Sequence, residues 1–235
     1  TQVAERTAHL EDALARLRRV ATTDSLTACY NRAYFTEQLP RELAAGLGPL
    51  YVIHGEEMLL ALEAADSIRA SARAQGFSER EVFDVDKSFD WGLLYQAGAS
   101  LSLFAEKRVI ELRINSGKPG DQGASALLEY LSRPPEDTLL LLSLPKLDGS
   151  TQKTKWAKAL IESPASQFVQ IWPVEAGQLP QWIRQRLAQA GLSASQEAVE
   201  LIAARVEGNL LAAAQEIEKL KLLAVDNQVD AGTLH

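Results

Sequence analysis

The chain has 235 residues, enough for one large domain or two modest ones, and its 46% hydrophobic and 23% charged content is that of a soluble folded protein. A single cysteine, Cys29, excludes an internal disulfide framework and a cysteine-rich metal site, and His9, His54 and His235 are too scattered for a histidine site. A formal net charge of −7 argues against a broad nucleic-acid-coating face, no apolar run approaches the length of a membrane span, and no signal-peptide pattern opens the sequence.

The charge is unevenly spread. Residues 1–35 are +1, residues 36–175 are −6 and residues 176–235 are −2, so no segment is a basic module.

Val3, Thr7, Leu10, Leu14, Leu17 and Ala21 alternate spacings of four and three. That seam predicts a short coiled coil or a single amphipathic helix, and a dimer through residues 3–21 is one outcome of it. Thr22-Thr23-Asp24 closes it and caps the next helix.

From Pro49 the texture changes. Leu50-Tyr51-Val52-Ile53, closed by His54-Gly55, reads as a buried strand, and residues 57–75 carry helical periodicity through Leu60, Ala64, Ile68 and Ala72. Strands are predicted over 81–85, 107–114, 138–144 and 168–172, with helices over 91–98, 124–131 and 156–161 and a loop over 117–123. Strands alternating with helices imply an α/β fold, a parallel doubly wound sheet with helices on both faces. Beyond Pro173 the pattern is wholly helical: 179–190, 195–206 and 209–223 predict a small three-helix bundle, with Pro180 and Ser195 as start signals and Gly191 and Gly208 as stops. Trp156 and Trp182 are expected in the core, and Glu207-Gly208-Asn209 is expected to end one helix and cap the next.

In a nucleotide-binding α/β domain the first strand feeds a phosphate-cradling loop, G-x-x-x-x-G-K-[ST]. Here Gly55-Glu56-Glu57-Met58-Leu59-Leu60-Ala61-Leu62 lacks the second glycine, the lysine and the hydroxyl, and puts two carboxylates where phosphates would lie. Gly117-Lys118 is followed by Pro119, and the apolar strand 139–144 carries no acidic pair for magnesium. The chain therefore reads as an NTPase-like fold without the chemistry, with no catalytic residues, no cofactor and no metal.

Five blocks in order give residues 36–230 a family likeness: LYVIHGEE (50–57), QAGASLSLFAEKR (96–108), LLLLSLPKL (139–147), Leu179-Pro180-Gln181-Trp182-Ile183, and Glu207 to Leu211 with Gln215 to Leu220. Together they resemble the delta subunit of the bacterial DNA polymerase III clamp loader. The resemblance implies an AAA+-like domain without a working P-loop over 36–175, a helical domain over 176–226, and in 227–235 the start of a missing collar domain or a tail. It further implies a non-catalytic cytoplasmic part of the polymerase III holoenzyme that binds and helps open the sliding clamp during replication. Its other clamp-loader partners would be held weakly without the collar, DNA would be met only indirectly, and no membrane would be involved.

The family's clamp-binding wedge falls on Leu101, Ser102, Leu103 and Phe104. A Leu-Phe pair followed by Glu106, Lys107 and Arg108 suits an apolar anchor entering a partner's pocket; pattern alone favours two ordinary core residues, and the resemblance favours the wedge. Lys146, Lys153, Lys155 and Lys158, around Asp148-Gly149-Ser150, read either as a phosphate or partner contact or as a solvated face.

Residues 1–35 follow a different pattern. Asp24-Ser25-Leu26-Thr27 with Asn31-Arg32 resembles the D-x-L-T-x-x-x-N-R opening of a diguanylate cyclase (GGDEF) domain, but the GTP-binding signature is absent. The junction near residues 36–42 reads as a fusion of two fragments, a chimera. A nucleotide-binding or cyclase-like signalling fragment is the alternative function.

Overall fold

The structure is a computed structural model that describes residues 39, 43, 46–99, 107–224, 226–230 and 232. The coil and GGDEF-like opening predicted over 1–35 lie outside the described residues. The chain divides into two compact units, one of residues up to Glu56 with Leu60–Trp172, the other of Glu57–Leu59 with Pro173 onward.

The first unit is built on β1 (Leu50–Gly55), α1 (Met58–Ala74), β2 (Phe77–Asp84), α2 (Gly92–Ala99), β3 (Lys107–Arg113), α3 (Gly120–Ser132), β4 (Thr138–Leu144), the single turn α4 (Gly149–Gln152), α5 (Lys155–Glu162) and β5 (Ser166–Ile171). The five strands pair in parallel in the order β2-β3-β4-β1-β5. Only the β1-to-β2 connection runs toward the β2 edge; every later one runs back toward β5. Right-handed crossovers that travel in opposite directions place their helices on opposite faces. Accordingly α2, α3 and α5 share one face, where Trp91, Leu94, Leu127, Tyr130, Trp156 and Leu160 pack with Leu50, Val52, Ile110, Leu112, Leu140, Leu142 and Phe168. Tyr51, Ile53, Leu139 and Leu141, the alternate positions, are also buried and point to the other face.

That other face belongs to α1, which buries Ala64, Ala65, Ile68 and Ala72. Leu39 and Leu43 are helical and buried, and the Leu43 carbonyl accepts hydrogen bonds from Ser71 Oγ and Gln75 Nε2, each at 3.0 Å. Burial on both faces explains why central strand β4 reads Thr-Leu-Leu-Leu-Leu-Ser-Leu without alternation.

Three elements differ notably from the sequence reading. β2 begins at Phe77 instead of Glu81, because as an edge strand it is largely exposed and its Ser78-Glu79-Arg80 stretch carries no apolar signal. α3 begins at Gly120, so the predicted loop over 117–123 is shorter, and Gly123 lies within the helix. Its absent Cβ makes room for Trp91, whose Cζ2 would lie 2.4 Å from one. Asp148-Gly149-Ser150 is no open loop. The Asp148 carboxylate accepts the Thr151 N–H at 2.6 Å and so starts α4, which the sequence reading lacked.

The second unit holds a short 3-10 turn (Ala176–Gln178), α6 (Leu179–Gln189), α7 (Gln196–Val206) and α8 (Leu210–Leu223). Each helix buries an apolar stripe, with Trp182, Ile183 and Leu187 in α6, Val199 and Ile202 in α7, and Ala213, Ile217 and Leu220 in α8. Ser195 Oγ accepts the Ala198 N–H at 3.1 Å and Asn209 Oδ1 the Ala212 N–H at 3.0 Å, as capping residues do. Between α7 and α8 Glu207 (φ 48°) and Gly208 (φ 86°) are both left-handed, which turns the chain within two residues. A parallel pair that the sequence reading missed, β6 (Ser193–Ala194) with β7 (Gln228–Val229), completes the unit; two-residue strands leave no periodicity to read.

Candidate functional site

In open α/β sheets ligands bind at the strand carboxyl ends, where neighbouring connections leave on opposite faces. Here that point lies between β1 and β4, paired from Leu50↔Leu140 to His54↔Leu144. Gly55, just beyond, must be glycine, since a Cβ would lie 2.2 Å from the Ile171 carbonyl oxygen across the β1–β5 pair.

The next residue carries an ion pair across this point. Glu56 Oε2 meets Lys146 Nζ, from the loop after β4, at 3.2 Å. Lys146, read from sequence as a phosphate or partner contact, is thus held by a carboxylate of its own chain. Glu57 Oε1 in turn accepts the Leu59 N–H at 3.3 Å, and burial raises its carboxyl above the usual range. A first-turn amide that a phosphate loop would offer to an anion already has one.

His54 is fully buried with its ring 4.8 Å from that of Phe168, and neither ring nitrogen has a hydrogen-bond partner. Desolvation lowers its pKa to about 4, so it sits neutral. It can neither hold an anion nor relay a proton to solvent at neutral pH.

The remaining lysines scatter over one exposed stretch. Lys153 follows α4 and Lys155 and Lys158 lie on α5; all three are exposed and in no ion pair among the described residues. Nearby Asp148 is held down to about 2 by hydrogen bonds from Ser150 Oγ and the Thr151 N–H. Leu101, Ser102, Leu103 and Phe104 lie outside the described residues, between α2 and β3. Among the described residues no group of three or more His, Cys, Asp or Glu is placed to hold a metal, and no helix is long and apolar enough to cross a membrane.

One cluster was missed altogether. Glu111, buried in β3, accepts from Arg69 of α1 (Nη2, 2.7 Å) and Arg80 of β2 (Nη2, 2.8 Å), with Arg113 Nε at 3.5 Å. The signal was a lone carboxylate inside the apolar run Val109-Ile110-Glu111-Leu112, and its role is to tie α1, β2 and β3 together.

Residues 51–165, from β1 to the approach to β5, match the family model of the DNA polymerase III delta subunit. The segment is similar to that family over just under half of the chain. The DNA polymerase III delta subunit of Escherichia coli (strain K12) is 32% identical over 197 residues, 83% of this chain and 56% of that protein. The Haemophilus influenzae subunit is 32% identical over 202 residues, 83% of this chain and 57% of its own length. The chain therefore spans a little over half the length of these curated relatives.

Solved structures agree on the fold. The Bacillus subtilis DNA clamp loader delta protein superimposes with a TM-score of 0.59 at 21% identity, covering 84% of this chain and 60% of its own. A point mutant of Thermotoga maritima RuvB gives 0.53 at 10% identity, covering 87% and 67%. The first unit thus shares the α/β architecture of these structures, with its own ion pair across the switch point.

Proposed function

We propose that this chain is a clamp-loader delta-type subunit that binds the ring-shaped sliding clamp and helps open it for loading on DNA, without catalysis of its own. The observation that carries the reading is the switch point. A delta-like sheet whose ligand crevice is bridged by Glu56 and Lys146 has kept the fold and given up the phosphate site, which suits gripping a protein. The α/β domain over 36–175 does the gripping through Leu101, Ser102, Leu103 and Phe104, of which the Leu103–Phe104 pair supplies two large apolar side chains of the kind that dominate interface energies. The remaining clamp-loader subunits are its other partners, in the cytoplasm, and DNA is met only through the assembly.

The heptad spacing of residues 1–21 favours pairing of two copies through residues 3–21. Light scattering with and without residues 1–21 checks this part, and a monomer in both cases overturns it.

The main test is a titration of a bacterial sliding clamp with the full chain and with the double variant Leu103→Ala/Phe104→Ala. The reading expects saturable binding by the parent and a loss of at least about thirtyfold in the variant, the scale of two anchors of about 1 kcal/mol or more each. Equal affinity in a folded variant, or no binding by the parent, overturns it.

A further inference from the structure

The carboxyl ends of β2 and β3 and the loops after them border a groove of about 930 Å³. Its floor is aromatic. Phe89 and Trp91 meet edge to face with centroids 5.0 Å apart, and both line the groove. Asp84, Asp86 and Asp121 stand around it, and an adjoining hollow beside α2 shares Trp91 and Asp121 and adds Asp90.

The loop fixes two of these carboxylates. Asp86 Oδ1 accepts the Ser88 N–H at 2.8 Å and Oγ–H at 2.7 Å, and Asp90 Oδ1 accepts the Gly92 N–H at 2.8 Å. The side chains of Asp84 and Asp121 are exposed and make no hydrogen bond or ion pair among the described residues. Lys87 and Lys118 line the same groove, also outside any ion pair among the described residues, so three carboxylates in the groove, with Asp90 in the adjoining hollow, stand beside two ammonium groups.

We propose that this groove docks an arginine side chain presented by a segment of a partner protein. An arginine fits both halves of the site. Its aliphatic stem lies on Phe89 and Pro119, and its planar, weakly hydrated guanidinium reaches carboxylates beside an aromatic ring. A lysine ammonium, more strongly hydrated, gains less from the aromatic floor. An acidic segment is repelled by the carboxylate excess. The groove is separate from the bridged crevice at β1 and β4, and the proposal does not depend on the clamp reading.

The experiment is a heteronuclear NMR titration of the isotope-labelled full chain with N-acetyl-arginine amide, beside N-acetyl-citrulline amide, its uncharged isostere. Saturable shifts are expected at the Trp91 indole and at the Gly92, Gly120 and Asp121 amides, and citrulline should produce them at least about fivefold more weakly. In Asp84→Asn/Asp121→Asn, which removes no contact within the described residues, arginine binding should weaken about fivefold. Lys118→Ala should tighten it about twofold by removing a competing cation. Absence of localised shifts with arginine, equal shifts with citrulline, undiminished binding in the double asparagine variant or weaker binding in Lys118→Ala overturns the proposal.

Discussion

Arg69 and Glu111 join helix to sheet through two parallel hydrogen bonds, Nε to Oε2 at 3.1 Å and Nη2 to Oε1 at 2.7 Å. Burial alone would raise the Glu111 carboxyl. The hydrogen bonds and charges of Arg69 and Arg80 outweigh it and hold the group below its ordinary value.

Removing that carboxylate leaves Arg69, only 14% exposed, with exposed Asp66 of its own helix as its remaining carboxylate partner. Glu111→Gln is expected to cost about 3 kcal/mol, as loss of one partner from a buried pair does. Arg80→Ala, at a side chain 42% exposed, should cost under about 1 kcal/mol. Urea unfolding at pH 7 measures both, and equal losses would contradict the ranking.

Gly123 and Trp91 form a second tight pair. A Cβ on Gly123 would lie 2.4 Å from Trp91 Cζ2 and 2.7 Å from Pro119 Cβ, so Gly123→Ala must displace a buried indole. Overpacking of this kind costs about 1–3 kcal/mol, against the slight gain alanine normally brings to a helix. Gly149, with nothing within 4 Å of its Cβ position, is the control, and Gly149→Ala should be neutral or slightly stabilising. Thermal unfolding of the two variants separates the packing effect from helix propensity.

These pairs mark what could and could not be read from the sequence. β4 declares itself because burial on both faces writes an unbroken apolar run, and the caps at Ser195 and Asn209 declare themselves because capping is local chemistry. The start of β2 is hidden because an edge strand has no buried face at Ser78-Glu79-Arg80. Glu111 looked like an isolated charge because Arg69 and Arg80 lie 42 and 31 residues away. Gly123 looked like a loop because a glycine that accommodates a tryptophan is indistinguishable in sequence from one that makes a turn. At the candidate site, the missing phosphate loop was legible at Gly55-Glu56-Glu57, but not that Lys146 comes back across the sheet to bridge it.

That bridge yields a third prediction. With Lys146 engaged by Glu56 and the Leu59 amide by Glu57, ATP or GTP with magnesium should leave the melting temperature of the full chain unchanged. A ligand that binds only the native state must raise it, so a saturable rise would revive the nucleotide-binding alternative. Lys146→Ala should change stability by less than about 0.5 kcal/mol, because both partners of the pair are more than half exposed.

The last prediction concerns pH. His54 is neutral in the folded protein because burial lowers its pKa to about 4, whereas the unfolded chain titrates near the ordinary 6.5. Above about pH 6.5 both states are neutral there and stability is independent of this group. As the pH falls toward 4 the unfolded chain takes up a proton that the folded protein does not. Stability then falls by about 1.4 kcal/mol per pH unit, on the order of 3 kcal/mol in all, and levels off once the folded form is protonated too. His54→Leu should remove this loss between pH 6.5 and 4, leaving the acid-linked loss of the carboxylates whose pKa the fold lowers, Glu111 and Asp148 among them. The same substitution should raise stability at pH 7 by about 1 kcal/mol, since both buried ring nitrogens lack a partner. Urea midpoints at pH 7, 6 and 5 decide it, because a parent and a His54→Leu variant with the same slope would show that the imidazole is hydrated or paired in solution.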